Sequence, residues 1–96
     1  MTKPTPDQTE ETLLEFPCRF PVKAMGRAGD DFEATVVRIV RAHADLWAEE
    51  ELPVTTQPSR NGNYVSVTVM VEATSKAQLD AIYQDLTDCP EVLMAL

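Results

Sequence analysis

Along YVSVTVMVEA, residues 64–73, valines at 65, 67, 69 and 71 alternate with Tyr64, Ser66, Thr68, Met70 and Glu72. Side chains of an extended chain leave on opposite sides in turn, so strict period-two alternation predicts a strand with one face buried. Burying each valine contributes about 1.5–3 kcal/mol, which makes the valine side the core side. A looser version of the pattern runs from Cys18 to Met25, with Phe20, Val22 and Ala24 on one side and Arg19, Lys23 and Met25 on the other. Pro17 and Pro21 restrict pairing near its start. LPVTTQ, residues 52–57, predicts a strand stopped by Pro58, and EVLMAL, residues 91–96, a short last strand.

The period changes to that of a helix in two places. Phe32, Val36, Ile39, Val40 and His43 predict an amphipathic helix over 31–44, with Arg38 and Arg41 on its outer face. Gly26 and Gly29 bracket the exit from the strand before it, and Asp30 with Glu33 forms a capping-box-like start. Leu79, Ile82, Tyr83 and Leu86 form the stripe of a second helix, opened by Ser75 with Gln78 at the reciprocal capping position. Arg60-Asn61-Gly62-Asn63 supplies residues that tolerate positive φ, as a strand-to-strand connection needs. ADLWAEEEL, which follows the first helix, reads as an acidic connection.

The element order is therefore β-α-β-β-α-β. Right-handed crossovers that leave room for a strand between the parallel pair give the split βαβ arrangement. The predicted fold is α+β: a two-layer sandwich with a four-stranded antiparallel sheet, order 4-1-3-2, and both helices on one face. In that sheet Lys23 lies close to Ser66 or Thr68, Arg19 lies near Glu72, and Met25, Tyr64 and Met70 complete the uncovered face. Three readings of that face stay open: solvated, paired with a second copy, or holding a small anion. Cys18 and Cys89 each precede a strand, and those strands are antiparallel neighbours. The cysteines then sit at opposite ends of the sheet, roughly 20 Å apart at about 3.3 Å per residue, which is too far for a disulfide.

Composition narrows the chemistry. The 96 residues make one domain, over 13–96, and the polar stretch 1–12 reads as a disordered tail. A net charge of −8 with scattered Lys and Arg disfavours nucleic acid and anionic membrane surfaces. No apolar run approaches the roughly 20 residues that span a bilayer, and no signal segment precedes the domain, so the expected compartment is the cytoplasm, with reduced thiols. Two cysteines without C-x-x-C spacing and a single histidine supply no metal set.

FPCRFPVKAMG (16–26), VVRIVRAHA (36–44), PSRNGNYVSVTV (58–69), SKAQLDAIYQDL (75–86) and EVLMAL resemble the YbeD-like family of small bacterial proteins, in collinear order over residues 13–96. The resemblance implies a ferredoxin-like fold akin to regulatory ACT domains, which bind amino acids at dimer interfaces. It also brings the family's label of lipoate regulatory protein. It supplies no catalytic residues.

Other functions of such folds each require something absent here. Base stacking on RNA needs several aromatics on the open face, where only Tyr64 stands. Copper delivery needs a C-x-x-C, and GRAGDD has none. Acylphosphatase-like chemistry needs a phosphate cradle, yet Arg27 is followed by Asp30 and Asp31, which repel phosphate. His43 reads as a structural residue at the end of its helix. Glu49-Glu50-Glu51 reads as a solvated loop, and Trp47 as either a lid over the sheet edge or an exposed contact.

The expectation is a non-catalytic regulatory or adaptor domain, without cofactor or metal, acting by self-association and by binding a partner protein or a small anionic metabolite. The candidate surfaces are the open face, with Lys23, Tyr64, Ser66, Thr68 and Met70, and the loop with Gly26, Arg27 and Gly29. Two alternatives stand beside it. One is a small oligomeric enzyme using His43 or Cys18; the other is a purely structural partner of a lipoate-pathway enzyme.

Overall fold

The structure, a computed structural model, describes residues 15–29 and 31–96. Strand β1 (Cys18–Arg27) is followed by helix α1 (Phe32–Arg41), β2 (Val54–Pro58), β3 (Tyr64–Ala73), α2 (Lys76–Asp88) and β4 (Val92–Ala95). The strands form one sheet, β2-β3-β1-β4, and every neighbouring pair is antiparallel. This is the order expected from the split βαβ argument.

Burial follows the alternation. Val22, Ala24, Val67, Val69, Val71 and Ala73 are buried on one face of the sheet, against Phe32, Thr35, Val36 and Val40 of α1 and Leu79, Ile82 and Leu86 of α2. Val65 and Phe20, near strand ends, and Ile39 are only partly buried. The other face carries no helix among the described residues. Cys18 lies opposite Ala73, whereas Cys89 precedes the strand that begins opposite Gly26, and both thiols are free.

Pro21 fits a central strand because of where its missing N–H points. Lys23 exchanges main-chain hydrogen bonds with Leu96, N to O at 3.1 and 2.8 Å. Alternation along β1 turns residue 21 to that same side, beyond the last residue of β4, so no ladder bond is lost. Pro58 blunts an edge in a similar way. Ser59 donates inward to Tyr64 O at 2.8 Å, which turns residue 58 to the free edge of β2, where proline offers no donor for a further strand.

Several boundaries differ from the sequence reading. Helix α1 ends at Arg41, not at 44; residues beyond it tighten, with His43 N donating to Val40 O at 3.0 Å. The tail 1–12 and the Asp30 cap lie outside the described residues. The N-cap is Asp31, which makes no side-chain capping bond, so Glu33 has no reciprocal role there. β2 starts at Val54 and includes Pro58. The largest departure is the acidic connection. Leu46 forms a bridge with Val71, Trp47 N donates to Met70 O at 2.9 Å, and Glu72 N donates to Asp45 O at 2.9 Å. This segment extends the sheet edge past the end of β2, and alternation from the Leu46–Val71 pair places Trp47 on the side of Met70. Glu50 is not free in solvent either: its Oε1 accepts from Arg19 Nε at 2.8 Å.

The turns behave as their residues demand. Gly62 has φ 78°, a conformation costly for any residue with a Cβ. Gly62 N bonds Ser59 O at 3.0 Å, and Asn61 Oδ1 accepts from Ser59 Oγ and Asn63 N. At α2, Ser75 Oγ accepts from Gln78 N at 3.0 Å. Gln78 reaches back one residue further than expected, and its Oε1 accepts from Thr74 N at 2.8 Å.

Candidate functional site

The helices cover one side of the sheet, so side chains on the other side are available for recognition. Register decides which of them meet. Lys23 of β1 stands opposite Thr68 of β3, and Thr68 stands opposite Thr55 of β2. One step along, Met25 faces Ser66, and Ser66 faces Gln57. Lys23, Thr55, Thr56, Gln57, Ser66 and Thr68 line a shallow cavity of about 230 Å³.

Side-chain hydrogen-bonding capacity there is unspent. Neither the Lys23 ammonium nor the side chains of Thr55, Gln57, Ser66 and Thr68 have an intramolecular side-chain partner among the described residues. Arg19, further up β1, is held by Glu50. Among the described residues, Lys23 is therefore the cation this part of the face presents to a ligand. Donors and acceptors from three strands surround it, on elements fixed by the valine core beneath.

Beside this polar cavity lies a smaller one of about 110 Å³, which shares Gln57 and Ser66 with it and is otherwise lined by Met25, Pro58, Ser59, Tyr64 and Val65. Further exposed apolar side chains stand on the same face: Met94, opposite Met25, is 52% exposed and Leu96, opposite Lys23, is 64% exposed.

The residues singled out from the sequence thus fall in two places. Lys23, Ser66 and Thr68 meet in the polar cavity, Tyr64 lines its apolar neighbour, and Met70 lies on the same face opposite Pro21. Arg27 and Gly29 line a separate cavity of about 420 Å³ with Asp31, Phe32, Glu91 and Leu93, at the junction of β1 and α1. Two of its lining residues, Asp31 and Glu91, are acidic, so an anion entering this cavity meets carboxylates as well as Arg27. Gly26 is explained by packing, because a Cβ there would collide with the Phe32 ring and the Glu91 carbonyl. Thr55 and Gln57 were missed by sequence reasoning. Their place follows from the register of the hairpin closed by Ser59 and Tyr64, which puts residue 57 opposite 66 and residue 55 opposite 68.

His43 sits just beyond α1, half-buried, with Nε2 2.6 Å from Asp85 Oδ2 on α2. Its main-chain oxygen accepts from Gln78 Nε2 at 3.0 Å. Cys18 lies at the start of β1, and no hydrogen bond joins it to His43 among the described residues. Among the described residues, no group of three or more His, Cys, Asp or Glu is placed to hold a metal ion, and no helix is long and apolar enough to cross a membrane. Tyr83, half-buried on α2, donates its hydroxyl to Leu96 O at 2.6 Å, and burial raises its pKa above the usual tyrosine value.

Comparison with known proteins agrees with this architecture. A solution structure of protein HP0495 from H. pylori superposes with a TM-score of 0.67, covering 99% of this chain and 98% of that one at 15% identity. That level of identity carries the ferredoxin-like fold and nothing more. Closer in sequence are UPF0250 protein NE1487 of Nitrosomonas europaea, 46% identical over 92% of this chain and 99% of its own length, and a UPF0250 protein of Chromobacterium violaceum, 47% identical over 94% and 98%. Residues 11–96 match the family model described as protein of unknown function DUF493. The YbeD-like resemblance and these matches coincide over nearly the whole chain, and the protein belongs to the DUF493 family of bacterial UPF0250 proteins.

Proposed function

We propose that this protein is a non-catalytic regulatory domain that binds a small anionic metabolite on the open face of its sheet. The observation that carries the reading is the Lys23 ammonium, without a hydrogen-bond or ion-pair partner among the described residues, beside the polar side chains of Thr55, Gln57, Ser66 and Thr68, which are likewise unpaired there. Small-molecule sites usually pair a few convergent polar groups with an apolar lining, and both halves are present on this face. A lysine offers a point charge on a flexible stem, which suits one anionic group without demanding a planar, bidentate partner.

The test is capture of the native protein followed by mass spectrometry of bound metabolites, then titration of each identified anion against two variants. Lys23→Ala is expected to weaken binding at least about tenfold, the scale of one lost charge-assisted hydrogen bond. Arg27→Ala, in the other cavity, is expected to change it little. If neither variant alters affinity, the open face is not the anion site. The same capture tests the link to lipoate metabolism, since lipoate-pathway enzymes among the bound proteins would support a regulatory or structural role there.

A second reading, self-association through this face, is favoured by the exposed Met94, Leu96 and Tyr64 around Lys23. Solvent-exposed apolar groups clustered on one face are the usual mark of a contact surface. Sedimentation over a range of concentrations tests it, and a Met94→Glu variant is expected to abolish any dimer that uses the face.

A further inference from the structure

We infer that the ligand class of the open face is an amphipathic monocarboxylate, with its carboxylate on Lys23 and a short apolar group lying over Met25 and Tyr64. This rests on the reading that Lys23 binds an anion, and adds what the other end of that anion is.

The argument begins with charge. Among the described residues, Lys23 is the one cation lining the polar cavity, in a chain of net charge −8. The field of such a protein opposes multiply charged ligands, so a single negative charge is favoured over a polyphosphate. Hydroxyls of Thr55, Ser66 and Thr68 and the amide of Gln57 can each donate to carboxylate oxygens.

Continuity decides the rest. Gln57 and Ser66 line both cavities, so the polar and apolar spaces adjoin on one surface. Lys23 and Met25 are two residues apart on β1, and both leave the sheet on the open side. That spacing is about 7 Å along a strand, the reach of a short chain or a single ring. Each cavity, about 230 and 110 Å³, is smaller than a usual ligand site of roughly 300 to 1,000 Å³, and only the two adjoining spaces together reach the lower end of that range. Methionine adapts its shape to irregular apolar groups, and Tyr64 offers an aromatic surface at the far end.

The experiment is a titration of the full chain, followed by amide chemical shifts, with hexanoate, acetate, hexylamine and inorganic phosphate as probes. Hexanoate is expected to shift the amides of Lys23, Thr55, Ser66 and Thr68 together with those of Met25 and Tyr64. Acetate is expected to shift only the first group, at least about tenfold more weakly, because the apolar contact is missing. Hexylamine is expected to shift neither. Lys23→Gln should weaken hexanoate about tenfold or more, while Met25→Ser should weaken hexanoate and leave acetate unchanged.

If acetate or phosphate binds at Lys23 as tightly as hexanoate, the anion reading stands and the amphipathic class is overturned. If no anion moves the Lys23 neighbours, both fail. If these amides shift with protein concentration and not with probe, a second copy covers the face and the inference is overturned.

Discussion

His43 Nε2 lies 2.6 Å from Asp85 Oδ2, and the main-chain oxygen of the same histidine accepts from Gln78 at 3.0 Å. His43, two residues past the end of α1, is thus tied twice to α2, once by side chain and once by backbone. The imidazole contact is partly open to solvent, with side-chain exposures of 27% and 51%. Screening limits pairs of this kind to about 1 kcal/mol or less. Asp85→Asn is therefore expected to lower stability by no more than that in urea unfolding. A loss several times larger would mean that the two helices depend on this contact for their packing.

The start of α2 gives a sharper, site-resolved prediction. Ser75 Oγ accepts from Gln78 N, and Gln78 Oε1 accepts from Thr74 N. Ser75→Ala should cost about 1 kcal/mol, within the usual range for a lost N-cap. Hydrogen exchange should speed up at the Gln78 amide in that variant and at the Thr74 amide in Gln78→Ala. The Gln78 variant should be the less stable of the two, because it also frees the His43 carbonyl from its side-chain donor. Equal acceleration at both amides in both variants would contradict the bond assignment.

Gly26 is held glycine by steric space. A Cβ at this position meets the Phe32 ring and the Glu91 carbonyl, and the register of β4 shifts beside it. Gly26→Ala should destabilise by about 1–3 kcal/mol, the usual cost of overpacking. Trimming the ring in the double variant Gly26→Ala with Phe32→Leu should recover part of that loss in thermal unfolding. Because the Glu91 carbonyl cannot be trimmed, recovery should be incomplete.

Tyr83 carries the pH dependence that the fold predicts. Burial raises its pKa, so the folded protein holds the phenolic proton more tightly than the unfolded chain does. Stability from this source is fully present below about pH 10, the unfolded value, and is lost as pH rises through the higher folded value. Ionisation also removes the bond donated to Leu96 O. Urea unfolding across pH 8–11 should show stability falling above about pH 10, and Tyr83→Phe should flatten that fall. At neutral pH the same variant should cost about 0.5–1.5 kcal/mol, the net worth of one hydrogen bond.

Where the sequence and the structure agree, one physical signal dominates. The alternation of Val65 to Val71 and the helical stripe of Leu79, Ile82 and Leu86 arise from burial, which is the largest favourable term in folding. Once those faces were assigned, the order of elements left few topologies, and the strand order followed. The misses fall where tertiary contacts override local pattern. Nothing in ADLW marks Leu46 as a pairing partner of Val71, because that bridge exists only once β3 offers an unused edge beyond β2. The Arg19–Glu50 pair depends on how that same segment returns across the face. The site was half legible: Lys23, Ser66 and Thr68 follow from alternation in two strong strands. Thr55 and Gln57 required the hairpin register, which only the closing pair Ser59 and Tyr64 supplies.

A lysine kept for binding should be dispensable for folding, and Lys23 allows that distinction to be measured. Its ammonium has no hydrogen-bond or ion-pair partner among the described residues, and its side chain stands on the uncovered face. Lys23→Met removes the charge while keeping a long, flexible side chain beside Met25. The expected change in unfolding free energy is within about 0.5 kcal/mol, as for surface positions away from special features. Its chain neighbour Val22 points the other way and is fully buried. Val22→Ala should cost at least about 1.5 kcal/mol, from two methylene equivalents at about 0.8 kcal/mol each before any cavity penalty. Adjacent residues on one strand would then separate cleanly, one sensitive in unfolding and silent in ligand titration, the other the reverse. If Lys23→Met instead destabilised as much as Val22→Ala, the lysine would be structural, and the charge on this face would no longer be available to a ligand.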